Sequence, residues 1–231
     1  MVSLAGGPLH VRCRRRVTPE TIVPRVDPVP PSGLPDDASW SQVRPLVLLR
    51  AEDGGVPSQA TEVRLAHDAS ALFLRFDCDD GDVWATYTRR DAPLWEEEVV
   101  EVFIAPGDAD PAAYVEIEVN PLGAVFDARV TNPHGRRDSM HCDTSWNAPG
   151  LVVAVDRSSA PAWRVDMAIR WADLCAGNPP RSWRANFFRI DRPRGGADEF
   201  SAWSPTFVRP ADFHKPARFG RLVLGDGAGP R

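Results

Sequence analysis

From residue 62 onward, apolar and polar residues alternate with period two in one short run after another. The runs are "EVRLAHD", "ALFLRFDCDD", "EVVEVFIAP", "AYVEIEVNPLG", "AVFDARV", "GLVVAVDR", "WRVDMAIRW", "RANFFRID" and "ARFGRLVLG". Because successive strand residues point to opposite faces, this pattern predicts a series of β-strands. Turn-forming residues separate them: His67-Asp68, Asp79-Asp80-Gly81, Pro106-Gly107-Asp108, Pro121-Leu122-Gly123 and Ala148-Pro149-Gly150. Many short strands with no long amphipathic helix between them predict an all-β chain folded as a two-sheet antiparallel β-sandwich. One short helix is expected in "RWADLC", where Trp171 and Leu174 fall on one face. No internal repeat is present.

The alternation also assigns faces. In "AYVEIEVN", Val115, Ile117 and Val119 share one side, and Tyr114, Glu116, Glu118 and Asn120 share the other. In "VVEVFIA", Val100, Val102 and Ile104 oppose Glu101 and Phe103. If the two apolar sets face one core, Glu101 joins Glu116, Glu118 and Asn120 on a carboxylate-rich face with aromatic neighbours, which suits a ligand site.

Length and composition narrow the picture. With 231 residues, 43% of them hydrophobic, the chain can build one sizeable core. Residues 36–225 are read as one domain, 1–35 as a Pro/Arg-rich arm with an edge strand, and 226–231 as a tail. A net charge of -5 argues against nucleic acid and anionic membranes as partners. The run "RCRRR", Arg12 to Arg16, reads as a solvated tail. The chain shows no secretory leader and no stretch of roughly 18 apolar residues, and its four cysteines are scattered without a CxxC pair. A reducing cytoplasm is therefore expected for the sequence as written, with secretion open if the gene start is misplaced.

Several chemistries can be weighed. Glu96, Glu97, Glu98, Glu101, Glu116 and Glu118 could supply a glycosidase pair, which needs two carboxyl groups roughly 5 to 9.5 Å apart. Hydrogen bonding to sugar hydroxyls needs no such spacing and is preferred. His134 and His141, with Met140, Cys142 and Asp143, could ligate a metal or haem, yet match no ligand spacing and read as a surface loop. Phosphate-binding glycine loops and a GxSxG elbow are absent. Of eight tryptophans, Trp163 and Trp171 share the apolar face of Val165, Met167 and Ile169 and read as core. Trp95 differs, because it sits in the charged segment "PLWEEE" at a strand entrance, where an aromatic platform fits better than a core residue.

Eight segments in order resemble the family 9 carbohydrate-binding modules of the DOMON-like β-sandwich group. These are "DASW", "EVRLAHDASALFLRF", "PLWEEEVVEVFIAP", "YVEIEVNPLGAVFDA", "WRVDMAIRW", "WRANFFRIDRP", "SAWSPT" and "FHKPARFGRLVL", spanning about Asp36 to Leu224. The resemblance implies a non-catalytic sandwich that holds a sugar-chain end between two aromatic rings. Such modules commonly accompany glycoside hydrolases in carbohydrate breakdown. It places Trp95 as one ring, Phe213 as the other and Glu101 as a hydroxyl acceptor; Glu118, Asn120 and Tyr114, which the alternation puts on the same face, complete the candidate site. It puts Glu96 to Glu98 at the entrance or on a structural calcium ion, with no other cofactor implied. Two positions depart from the pattern. Glu118 stands where the family carries an arginine, and Pro210 stands where it carries an amide donor. The departures imply a divergent branch that either takes a sugar other than a plain glucan end or has lost binding. The alternatives kept beside this reading are a glycoside-active enzyme and a haem or redox-ligand binder.

Overall fold

The computed structural model describes residues 17–26, 29–30, 33–158 and 161–227. The arginine run and Cys13 lie outside the described residues. Fourteen strands are present in them: β1 (Glu20–Val23), β2 (Leu46–Val47), β3 (Leu49–Arg50), β4 (Thr61–His67), β5 (Ala71–Asp79), β6 (Val99–Pro106), β7 (Ala113–Val119), β8 (Val125–Thr131), β9 (His141–Asp143), β10 (Val152–Asp156), β11 (Ala162–Arg170), β12 (Ser182–Asp191), β13 (Glu199–Ala202) and β14 (Gly220–Leu224). Two helices of four residues each accompany them, α1 (Asp37–Trp40) and α2 (Trp171–Leu174).

The strands form two sheets. One runs β1-β14-β12-β6-β7-β8-β9, with β13 pairing the second half of β12 and β3 pairing β13. The other runs β10-β11-β5-β4-β2. All named pairs are antiparallel except β1 with β14, so the fold is the expected sandwich. β1 falls in the stretch read as an arm and is an edge strand of the larger sheet, with Val23 fully buried. The strands that periodicity missed, β2, β3, β9 and β13, have only two to four residues, too few to establish a period.

Between the sheets lie Val100, Val102 and Ile104 of β6 and Val115, Ile117 and Val119 of β7. Facing them are Leu72, Leu74 and Phe76 of β5 and Trp163, Val165, Met167 and Ile169 of β11. Trp171 and Leu174 of α2 join this core as their spacing predicts. α1 is short but capped, Asp36 accepting from the Ser39 amide at 2.8 Å, and it sets Trp40 over Phe73 and Ala168 on the outside of the smaller sheet.

The outer face of the larger sheet is not left to water. Phe103, Tyr114, Phe126, Phe188 and Ile190 form a second apolar cluster there, roofed by Phe213 and Phe219 from the chain between β13 and β14. The carboxylates of this face are therefore buried: Glu101, Glu116 and Glu118 are 3%, 5% and 1% exposed.

Candidate functional site

Trp95 sits in a single 3-10 turn, Leu94–Glu96, just before β6. Leu94 is fully buried and anchors the turn, while Trp95 is left 42% exposed. The three glutamates that follow hold this loop. Glu96 accepts from the Tyr87 hydroxyl at 2.8 Å, and Glu97 accepts from the Thr86 amide at 2.7 Å, the Thr86 hydroxyl and the Tyr87 amide. Glu98 turns inward and accepts from the Arg192 amide at 2.7 Å. The Arg192 guanidinium donates in turn to the Trp95 carbonyl at 3.3 and 3.2 Å. None of the three lines the cleft beside Trp95. They are fasteners of the platform, not an entrance lining.

That cleft has a volume of about 410 Å³. Its floor is Glu101, Glu116 and Glu118. Glu101 and Glu118 are direct cross-strand partners between β6 and β7. One carboxylate oxygen from each of the three comes within 4.8 Å of the others. The walls include Trp95, Phe126, Phe200, Phe213 and Met140, and Arg137 and Arg192 also border the cleft. Trp95 meets Phe126 edge to face at 5.2 Å, which fixes the plane of the exposed ring.

Burial, together with Glu116, raises Glu101 well above the usual carboxylate range. Burial and the charges of Glu101 and Glu116 do the same to Glu118, and burial brings Glu116 up to about 7. Like charges this close and this dry cannot all ionise, so the floor retains protons at neutral pH. His214 does not compensate. Its Nε2 lies 4.0 Å from Glu116, but burial, with help from Arg137, drops it to about 4, so the ring is neutral.

A stability test follows from these raised carboxyl groups. When a carboxyl titrates higher in the folded chain than in the unfolded one, the folded state binds more protons, and stability falls as pH rises above the unfolded value. Glu118→Gln removes that penalty. Its urea midpoint should match or exceed the wild type at pH 5. Its advantage should grow by at least about 1 kcal/mol by pH 7, since each unit by which a pKa rises, a tenfold loss of acid strength, corresponds to about 1.4 kcal/mol. Parallel curves at the two pH values would show that Glu118 is not held protonated.

Trp95, Glu101, Glu118 and Phe213 thus line one cleft. Phe213, however, is only 6% exposed and lies face to face on Phe188 at 4.1 Å, so one face is already covered and it serves as wall, not as a free second platform. Tyr114 and Asn120 do not line the cleft. Tyr114 is stacked on Phe103 farther along the same face, with its hydroxyl 2.7 Å from His214 Nδ1. Asn120 spends its amide on the turn after β7, accepting from the Leu122 and Ala124 amides at 3.0 Å and donating to the Tyr87 carbonyl at 2.8 Å. Met140 and Cys142 border the cleft, whereas His134 and His141 are exposed and do not. Phe126, Phe200, Arg137, Arg192 and His214 were not anticipated. Only Phe126 carried a signal, its place at the non-core parity of "AVFDARV".

The profile of carbohydrate-binding family 9 matches residues 51–224. A protein of Arthroderma benhamiae named "Extracellular protein" is 30% identical over 179 residues, covering 73% of this chain and 80% of that one. Among solved structures, a Bacteroides uniformis protein provisionally described as carbohydrate-binding superposes with a TM-score of 0.73 at 18% identity, covering 90% of this chain and all of the other. A family 9 module of Caldicellulosiruptor kristjanssonii, determined with cellotriose, superposes with a TM-score of 0.61 at 14% identity, over 92% and 95% of the two chains. At such identities the two structures speak for the fold alone, and that fold is the two-sheet sandwich described above. The profile spans most of the described strands together with the loop that carries Trp95, and on that match the chain belongs to carbohydrate-binding family 9.

Proposed function

We propose that the cleft binds one ring at the end of a sugar chain and performs no reaction on it, acting beside carbohydrate breakdown. The observation that carries this reading is the pairing of an exposed, doubly fastened Trp95 with a buried carboxylate floor in one cleft. A pyranose offers an apolar C-H face to such a ring and hydroxyls to such oxygens. The same floor argues against a glycosidase. Its three oxygens gather within 4.8 Å of one another at one spot, whereas the reaction needs two carboxyl groups flanking the scissile bond. Neutral glucose and cellobiose are natural first probes, since C. kristjanssonii modules are seen with cellotriose and glucose.

As for compartment, the free thiols Cys78, Cys142 and Cys175 suit a reducing one, while the A. benhamiae relative bears an extracellular name. No helix among the described residues is long and apolar enough to cross a membrane. Fractionation of cells carrying the native gene decides between the two.

One ring face of roughly 50 Å² at about 25 cal/mol per Å² contributes about 1.3 kcal/mol, and a hydrogen bond to a charged group about 1.5 to 3 kcal/mol. Together these imply dissociation constants at the millimolar level or weaker. Trp95→Ala should therefore weaken sugar binding about tenfold in calorimetric titration while shifting the melting temperature by no more than a few degrees. A collapse of the melting temperature would make Trp95 a structural residue instead.

A further inference from the structure

We propose that the preferred ligand of this cleft is an amino sugar with a free, protonated amine, its ammonium seated on Glu101, Glu116 and Glu118. The inference rests on the sugar-binding reading and names the chemical class of sugar. An ammonium presents three N–H donors and no acceptor. The floor supplies three carboxylate oxygens all within 4.8 Å of one another. Glu118 is 1% exposed and lines the cleft, and its Oε2 receives no N–H or hydroxyl donor, the neighbouring Glu116 carboxyl being the group it meets. An acceptor buried in this way without a donor is costly unless a ligand brings one. Above the floor, Trp95 and Phe126 offer ring faces and edges to the sugar body, and an aromatic face also favours a nearby cation.

Competing occupants fit less well. A calcium ion takes six to eight oxygens, and apart from the three glutamates the described lining contains no Asp, Asn, Gln, Ser or Thr side chain. A uronate would bring a fourth carboxylate to the floor, and the two bordering arginines are already paired, Arg137 with Asp212 and Arg192 with Asp198. A neutral sugar can accept hydrogen bonds from the protonated carboxyl groups, but it brings no cation to draw them into their ionised, purely accepting form. His214, Arg137 and Cys142 are the other titratable groups at the floor. His214 is neutral and burial holds the Cys142 thiol up at about 11, while Arg137, whose charge lowers Glu101 and Glu116 against the effect of burial, is already paired with Asp212 at 3.1 Å.

The test is titration calorimetry of glucosamine, N-acetylglucosamine, glucose and calcium chloride against wild type, Glu118→Gln and Glu101→Gln, with circular dichroism confirming that each variant is folded. Glucosamine should bind at least tenfold tighter than N-acetylglucosamine and glucose, and each substitution should cut that preference at least fivefold. Glucose binding as tightly as glucosamine would overturn the amine assignment and leave the sugar-binding reading standing. Stoichiometric calcium binding to the sugar-free protein, lost in Glu118→Gln, would overturn it by making the floor a metal site. Failure of all three sugars to bind would overturn both readings.

Discussion

Arg189→Leu is expected to cost about 3 to 5 kcal/mol of unfolding free energy, because it strands buried carboxyl groups that share a single cation. Arg189 is 1% exposed and stands on the core-facing side of β12, in line with Trp183, Ala185 and Phe187. Its Nη2 donates to Asp80 at 2.9 Å and lies 3.7 Å from both Glu98 and Asp191, while its Nη1 donates to the Asp79 carbonyl at 2.6 Å. The guanidinium therefore joins the two sheets at one end of the core. Burial, with the nearby Asp80 and Asp191, pushes Glu98 up to about 9, so Glu98 holds its proton at neutral pH and the arginine answers the remaining charge. Leucine would fill part of the volume and answer none of it. Urea unfolding at pH 7 should show the loss, and Arg189→Leu combined with Asp80→Asn should recover part of it. A single-variant cost below about 1 kcal/mol would mean that the carboxyl groups neutralise themselves by taking up protons.

How much of this was legible in the sequence depends on the range of the interaction concerned. The inward sets Val100, Val102, Ile104 and Val115, Ile117, Val119 were readable because strand period is a local property, and they lie between the sheets as expected. The same parity placed Glu101 and Glu118 on one face, where they are direct partners. Parity cannot show whether a face is roofed. The cover over these glutamates comes from Phe213 and its neighbours, which reach Phe188 across many residues of intervening chain. The carboxylate-rich face is thus a dry one, and burial turns its carboxyl groups into retained protons. The entrance reading of Glu96 to Glu98 fails for a related reason, since their partners Thr86, Tyr87 and Arg192 lie outside the strand, 9 to 94 residues away, where local pattern carries no signal. Asn120 could have been read correctly. In "NPLG" an asparagine at the head of a turn commonly bonds the backbone two residues on, and Asn120 does so at Leu122.

Trp163→Ala should be comparably damaging, at about 3 to 5 kcal/mol, the range for truncating a buried aromatic. Trp163 is 1% exposed on β11, opposite Cys78 of β5, in the core with Val165 and Met167. Two losses combine in this substitution. The cavity left by the indole removes packing between the sheets, and the indole N–H, which donates to Asp80 Oδ2 at 3.1 Å, disappears. Trp163→Phe separates them, because it keeps most of the apolar volume and should cost about 1.5 to 3 kcal/mol less the repacking it permits, the share of a hydrogen bond to a charged acceptor. The acceptor is the same Asp80 oxygen that Arg189 holds at 2.9 Å. The two sites therefore share a partner, and their effects should not add. Once Arg189 is leucine, Asp80 is already short of donors, so removing the indole N–H from it should hurt more than it does in the wild type. Urea unfolding of Trp163→Phe, Arg189→Leu and the double variant measures this coupling directly. A double-variant cost equal to the sum within about 0.5 kcal/mol would show that Asp80 does not link the two side chains energetically, and that the core tryptophan acts through its packing alone.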